Sequence, residues 1–269
     1  MNSVPAAPSR AATDVLTRAV AGAICLILLD AAQLLFLYPD RTDTLWAWKL
    51  QPEVTAMVLG SVYAGGAYFF GRIVFRAPWP RVAAGFPAVI VFVWMAGIAT
   101  LLHLDRFTKD SVPFAAWVAL YVVTPFVVPW LVARNHRLYG GPSGPPLPRA
   151  LTAALGAVGG ALLALGVLFL IVPDVAIDAW PWPLTPLTAR VTGAVLAMYG
   201  TVWLALAVHR TWAGARIPLQ AHAIGLALLL LGIARGEEVV DWGNALAIVI
   251  VVAAAAMLVV SALLSRRAT

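Results

Sequence analysis

Six residues recur in this chain at a single offset. Pro39, Asp40, Trp46, Trp48, Leu50 and Pro52 are matched 134 positions later by Pro173, Asp174, Trp180, Trp182, Leu184 and Pro186. Tryptophan and proline are uncommon, so a shared register of this kind is hard to reach by chance. Twice the offset is 268, and the chain has 269 residues. The sequence therefore reads as one unit duplicated and fused, and a repeat constrains the fold before any local feature does.

The unit itself is defined by apolar content. The chain is 62% hydrophobic and 11% charged, against about a quarter charged residues in a soluble domain. A membrane span needs roughly 20 mainly apolar residues. Eight runs qualify, at about 15–38, 54–75, 82–104, 113–133, 150–172, 187–209, 217–234 and 244–264. The first run carries Asp30 and lacks a small-residue cleavage site after it, so it reads as a retained span rather than a signal peptide. Cys25, the single cysteine, allows neither an intramolecular disulfide nor a Cys-based metal site.

Charge placement orients these spans. The N-tail, the connections after even-numbered spans and the C-tail hold 12 of the 18 cations: Arg10, Arg18, Arg72, Arg76, Arg81, Arg134, Arg137, Arg149, Arg210, Arg216, Arg266 and Arg267. Ten of the 12 acids fall on the other side; Asp14 and Asp30 are the exceptions. The positive-inside rule then predicts cytoplasmic termini. Cations spread between apolar runs also argue against a nucleic-acid partner, whose footprint gathers on one face. The predicted fold is all-α and integral to the membrane: eight transmembrane helices as two parallel four-helix repeats, both termini cytoplasmic. Residues 1–134 form the first repeat, 135–149 a cytoplasmic Gly/Pro-rich linker and 150–269 the second repeat. Parallel repeats are related by an axis along the membrane normal.

The repeated motif falls after spans 1 and 5, on the outer side. Residues i and i+2 of an extended segment share a side, which pairs Trp46 with Trp48 and Trp180 with Trp182. Interfacial tryptophans anchor a chain at the membrane boundary; the sharper reading is a pair of aromatic lids over an outer site. Pro52 and Pro186 suit a first helical position, Thr185 an N-cap, and Glu53 a helical first turn.

Five polar residues are candidates for ligand or ion binding. Asp30 lies deep in span 1, where a carboxylate is expensive and points to function by default. Gln33 is three residues on, on the same helix face. The counterpart of Asp30 in the second repeat is Ala164. Arg190, four residues past Pro186, either snorkels to headgroups or acts as counter-ion to Asp30 or an anionic ligand. His103 and Glu237 occupy matching positions at the ends of spans 3 and 7, where a histidine beside carboxylates can shuttle protons and where helix ends also simply collect charge. His209 and His222 flank one cytoplasmic connection, but two histidines do not make a haem site. Small-xxx-small pairs at Gly60/Ala64 and Gly156/Gly160 predict close helix packing. Pro125 and Pro129 predict a break in span 4 facing protein or a cavity. No metal, cofactor or catalytic motif is present in the sequence.

The stretch Leu45-Trp46-Ala47-Trp48 through Pro52, with Gly60-Ser61-x-Tyr63 and Leu101-Leu102-His103-Leu104-Asp105-Arg106-Phe107, resembles uncharacterised multipass membrane proteins of high-GC bacteria. Preference for Arg over Lys and abundant Ala fit that source. The resemblance implies a bacterial cytoplasmic (inner) membrane location and assigns no residue a role. Three functions stand open: a small-molecule or ion transporter with an outer-side site between the repeats, a non-transporting sensor, lipid-binding or assembly module, or a membrane enzyme or cytochrome. Membrane lipids, a small ligand and an oligomeric partner are the candidate partners.

Overall fold

The computed structural model describes residues 13–142 and 144–268; Arg10 lies outside them. These residues are helical, with eight helices long and apolar enough to cross a membrane. In chain order the helices are α1 (Val15–Leu37), α2 (Thr42–Leu45), α3 (Glu53–Val74), α4 (Trp79–Val82), α5 (Phe86–Leu102), α6 (Val112–Tyr139), α7 (Arg149–Ile171), α8 (Pro173–Ala179), α9 (Pro186–His209), α10 (Arg216–Arg235) and α11 (Ala245–Arg267). The third crossing is made by α4 and α5 together.

The packing is crosswise. α1 lies on α3, and α7 on α9. α3 then packs on α10, while α5 packs on α9. α6 and α11 are added from outside, against α5 and α10 respectively. Four helices, α3, α5, α9 and α10, thus form the centre. α7 and α11 are the least buried of the spanning helices.

The tightest contact is between α7 and α9, and glycine makes it. A Cβ placed on Gly159 would lie 2.6 Å from the carbonyl oxygen of Gly200, and one on Gly200 2.5 Å from that of Gly159. Gly166 and Gly193 repeat the relation one stretch along the same pair of helices. Close backbone approach of this kind is how helices associate where lipid offers no hydrophobic drive. The sequence pointed to Gly156 and Gly160 instead. Gly156 makes only an ordinary contact with Ala207, and Gly160 faces open space. Helical spacing selects candidate faces, and here the contact face is rotated from the predicted one. On α3, Gly60 does meet the backbone of Leu35 and Phe36 closely, with a built Cβ at 3.1 Å from Phe36 N.

The prolines of span 4 do not break it. α6 is continuous through Pro125 and Pro129 and runs to Tyr139, through residues 135–139 of the predicted linker. Its last turns are fixed by polar contacts to α1. Asp14 caps α1 by accepting from Thr17 N at 2.9 Å and also pairs with Arg134. Asn135, fully buried, donates to Thr17 Oγ1 at 2.9 Å and to Leu131 O at 2.8 Å. Burial opposes ionisation of Asp14, but the Thr17 hydrogen bond and Arg134 outweigh it and hold its carboxyl below the usual range.

The glycine contact is directly testable. Gly159→Ala drives a methyl group into backbone that cannot move aside, and is expected to cost about 1–3 kcal/mol. Gly160→Ala meets nothing and gains helix propensity, up to about 1 kcal/mol. Thermal melts of both variants in detergent, followed by circular dichroism, should move in opposite directions or leave Gly160→Ala unchanged.

Candidate functional site

The two Trp motifs are built alike. The rings of Trp46 and Trp48 are 5.9 Å apart, and those of Trp180 and Trp182 are 5.3 Å apart. In each pair the first ring is half-buried and the second is buried. Loops from the following helices hold both motifs by their backbones: Thr108 N donates to Ala47 O at 3.0 Å, and Asp241 N to Pro181 O at 2.7 Å. The acceptors, Ala47 and Pro181, are counterparts under the repeat offset. Trp182 Nε1 donates to Thr55 Oγ1 of α3 at 3.1 Å. Trp48 Nε1 is buried with no partner among the described residues; the counterpart of Thr55 is Ala189, which has no hydroxyl. Thr185 caps α9 in a reciprocal capping box with Thr188, with Pro186 at the first helical position. Pro52 instead sits one residue earlier, at the N-cap of α3.

Beneath each motif lies a cleft. The first, of about 170 Å³, is lined by α1, Trp46, Tyr63 of α3 and the start of α6. The second, of about 330 Å³, is lined mainly by α7, Trp180, Trp182, α9, α10 and α11. Seven positions related by the repeat offset line both, among them Leu28 and Leu162, Trp46 and Trp180, and Leu120 and Ala254. Their chemistry differs. The first cleft contains Asp30, Tyr63 and Trp117. The second has no charged residue in its lining.

Only two of the five candidate polar residues meet. Arg190 Nη1 lies 2.7 Å from His103 Nε2, and its Nε donates to Leu170 O at 3.0 Å. A guanidinium only donates, so His103 Nε2 must be the acceptor. Asp30 is exposed and makes no hydrogen bond or ion pair among the described residues; Arg190 is engaged elsewhere. Gln33 faces a different groove, with Tyr68 and Arg72. Three residues fall short of a full helical turn, and a helix seam separates the two side chains. Glu237 is exposed, and its backbone oxygen accepts from Trp242 Nε1 at 3.1 Å. Arg235 beside it donates to Phe36 O and lies 5.4 Å from the Phe36 ring. Phe36 and Leu170 are themselves counterparts under the offset, so different arginines satisfy matching carbonyls at the ends of α1 and α7.

One polar cluster is missed by sequence reasoning. His222 is buried in α10, where its Nδ1 accepts from Trp203 Nε1 at 3.1 Å and lies 2.9 Å from Ser261 Oγ. An indole N–H only donates, so the neutral ring carries its proton on Nε2. Nε2 and Tyr199 OH are both buried and unpartnered among the described residues. Both residues line a central cavity of about 60 Å³ between α3, α5, α9 and α10, large enough for water. No group of three or more His, Cys, Asp or Glu suited to a metal occurs among the described residues.

The eight apolar helices place this chain in the class of all-helical, multi-pass membrane proteins. No family model matches it, and no match is found among curated proteins or solved structures.

The His103–Arg190 contact gives a pH prediction. Burial first, and then the Arg190 charge, push the His103 imidazole below its ordinary value of 6.5. The unfolded state therefore takes up a proton first, so the stability contributed here is present above about pH 6.5 and lost as pH falls through the lowered folded value. Thermal melts should fall between about pH 7.5 and pH 5, and His103→Asn should remove that part of the fall.

Proposed function

We propose that the chain is a bacterial inner-membrane protein of two parallel four-helix repeats that binds membrane lipid in lateral clefts below its Trp-motif end. The repeat reading is supported by the packing: α1–α3, α3–α10 and α5–α6 exchange with α7–α9, α9–α5 and α11–α10 under the offset. A pseudo-twofold axis along the membrane normal accounts for that exchange. Cytoplasmic termini follow from the cation bias, with 11 of the 12 cations assigned to that side lying within the described residues (12 minus Arg10). The inner-membrane assignment rests on the sequence resemblance.

The second cleft carries the lipid reading. Its volume of about 330 Å³ falls within the range of small-molecule pockets, roughly 300–1,000 Å³. Its walls are almost wholly apolar, and two of them, α7 and α11, are the least buried of the spanning helices. An acyl chain of a neighbouring phospholipid is the occupant whose chemistry and access both suit it.

Transport between the halves is the second reading, favoured by the unpartnered His222 Nε2 and Tyr199 OH at the central cavity. Against it, the α3–α10 crossing is closed: a Cβ on Gly65 would lie 2.7 Å from Ala221 O. The polar residues expected to form a shared site are also dispersed.

Ala253 is exposed and lines the second cleft, so Ala253→Trp fills it from the rim without disturbing the core. Lipid retained through purification and measured by native mass spectrometry should drop about tenfold, the effect of losing one or two buried methylenes. Undiminished lipid in the variant, together with solute flux in liposomes, would replace this reading with transport.

A further inference from the structure

Asp30 is the feature that the lipid reading leaves unexplained. It lies seven residues before the end of α1, about 10 Å below that end at 1.5 Å per residue. Its carboxylate is exposed, with no hydrogen bond or ion pair among the described residues. Side chains on a helix lean toward its N-terminus, so Asp30 is directed away from the nearer end of the bundle. A short side chain so directed cannot snorkel to the nearer interface as lysine does. An unpaired carboxylate at this depth is costly and calls for a cation.

The surroundings specify what kind of cation. Trp46, Tyr63 and Trp117 line the same cleft from three separate elements. They brace one another: Trp46 is 6.0 Å from Tyr63 and 5.6 Å from Trp117, the latter edge-on. Trp117 is fixed further by its hydrogen bond to Thr100 at 2.9 Å, and Tyr63 by Tyr121 at 3.0 Å. Aromatic faces beside a carboxylate attract organic cations. Metal ions need several oxygen ligands, and this cleft has Asp30 and the already engaged Tyr63 hydroxyl. Apolar residues such as Ile27, Leu34 and Leu120 offer a place for carbon. A volume of about 170 Å³ suits a headgroup-sized ion rather than a drug-sized one.

The second half sharpens the assignment. The counterparts of Asp30, Tyr63 and Trp117 under the repeat offset are Ala164, Ala197 and Val251. Trp46 keeps its counterpart in Trp180. The carboxylate is therefore confined to one cleft, while the second keeps aromatic walls of its own in Phe169, Trp180, Trp182 and Tyr199; Asp30 is what sets the first apart.

We propose that the cleft between α1, α3 and α6 binds an organic ammonium ion, with Asp30 as counter-ion and Trp46, Tyr63 and Trp117 as its aromatic walls. The ammonium belongs either to a lipid headgroup or to a free amphiphilic amine. The site is separate from the second cleft and does not depend on its occupant.

The test uses the full chain in phosphatidylglycerol nanodiscs, which contain no ammonium. Hexyltrimethylammonium is titrated in and tryptophan fluorescence followed. A saturable change is expected, weakened at least about tenfold in Asp30→Asn and unaltered in Ala253→Trp. The uncharged isostere 2,2-dimethyloctane, offered to the unaltered protein, should not compete. Adding phosphatidylethanolamine separates the sources: weaker apparent binding of the probe identifies the lipid headgroup, and unchanged binding identifies a free amine. The proposal is overturned if no saturable change occurs, if Asp30→Asn binds as the unaltered chain does, or if the isostere competes equally.

Discussion

The structure depends on a crosswise contact between the two halves of the chain. α5 belongs to the first half and packs on α9 of the second, while α10 of the second packs on α3 of the first. Neither half closes a core by itself. Because the central places are taken by α3, α5, α9 and α10, the first and last helices of each half are left on the outside. α1 and α6 flank one side and α7 and α11 the other, and the gaps under each Trp motif are the two clefts. The clefts are thus a consequence of how the halves interlock, not of any irregularity in a helix.

Helix ends in such an arrangement must be satisfied from within the protein or from the interface, since a helix leaves its last carbonyls without partners. The carbonyls of Phe36 and Leu170 are matching groups, met by Arg235 from α10 and Arg190 from α9. Two arginines at positions unrelated by the offset do equivalent work at those ends. The frame requires a donor at that place and is indifferent to which helix supplies it. His103 is drawn into this role through Arg190, and Glu237, its counterpart by offset, is not.

The spans are legible in the sequence because hydrocarbon imposes both length and apolarity. The runs read from composition match the helices within three residues at every end but one. That exception, the end of α6 at Tyr139, is instructive. Asn135, His136 and Arg137 end the apolar run but not the helix, since Asn135 is buried against Thr17 and Leu131. The capping of α9 by Thr185 is also readable, being local. What is not readable is rotation about the helix axis. Gly156 and Gly160 have the right spacing, yet Gly159 and Gly166 make the contact. Asp30 and Gln33 share a sequence neighbourhood and open into different grooves. His222 reads as a residue near a loop, yet it is held in the core by Trp203 and Ser261. Each of these depends on which neighbour lies opposite, and one chain's periodicity does not contain that.

The two clefts are alike in outline and differ in charge. Where both halves keep a residue, as with Trp46 and Trp180 or Leu28 and Leu162, the residue positions a motif or fills a wall. Where they part, the change is concerted: Asp30, Tyr63 and Trp117 stand against Ala164, Ala197 and Val251. Loss of one aromatic could be absorbed by repacking. The second cleft keeps aromatic walls in Phe169, Trp180, Trp182 and Tyr199, so the chemistry it lacks is the carboxylate. On the readings proposed above, one cleft takes apolar chains and the other adds selectivity for positive charge. A membrane protein so built would bind an acyl chain on one side and an ammonium group, from a lipid or a free amine, on the other.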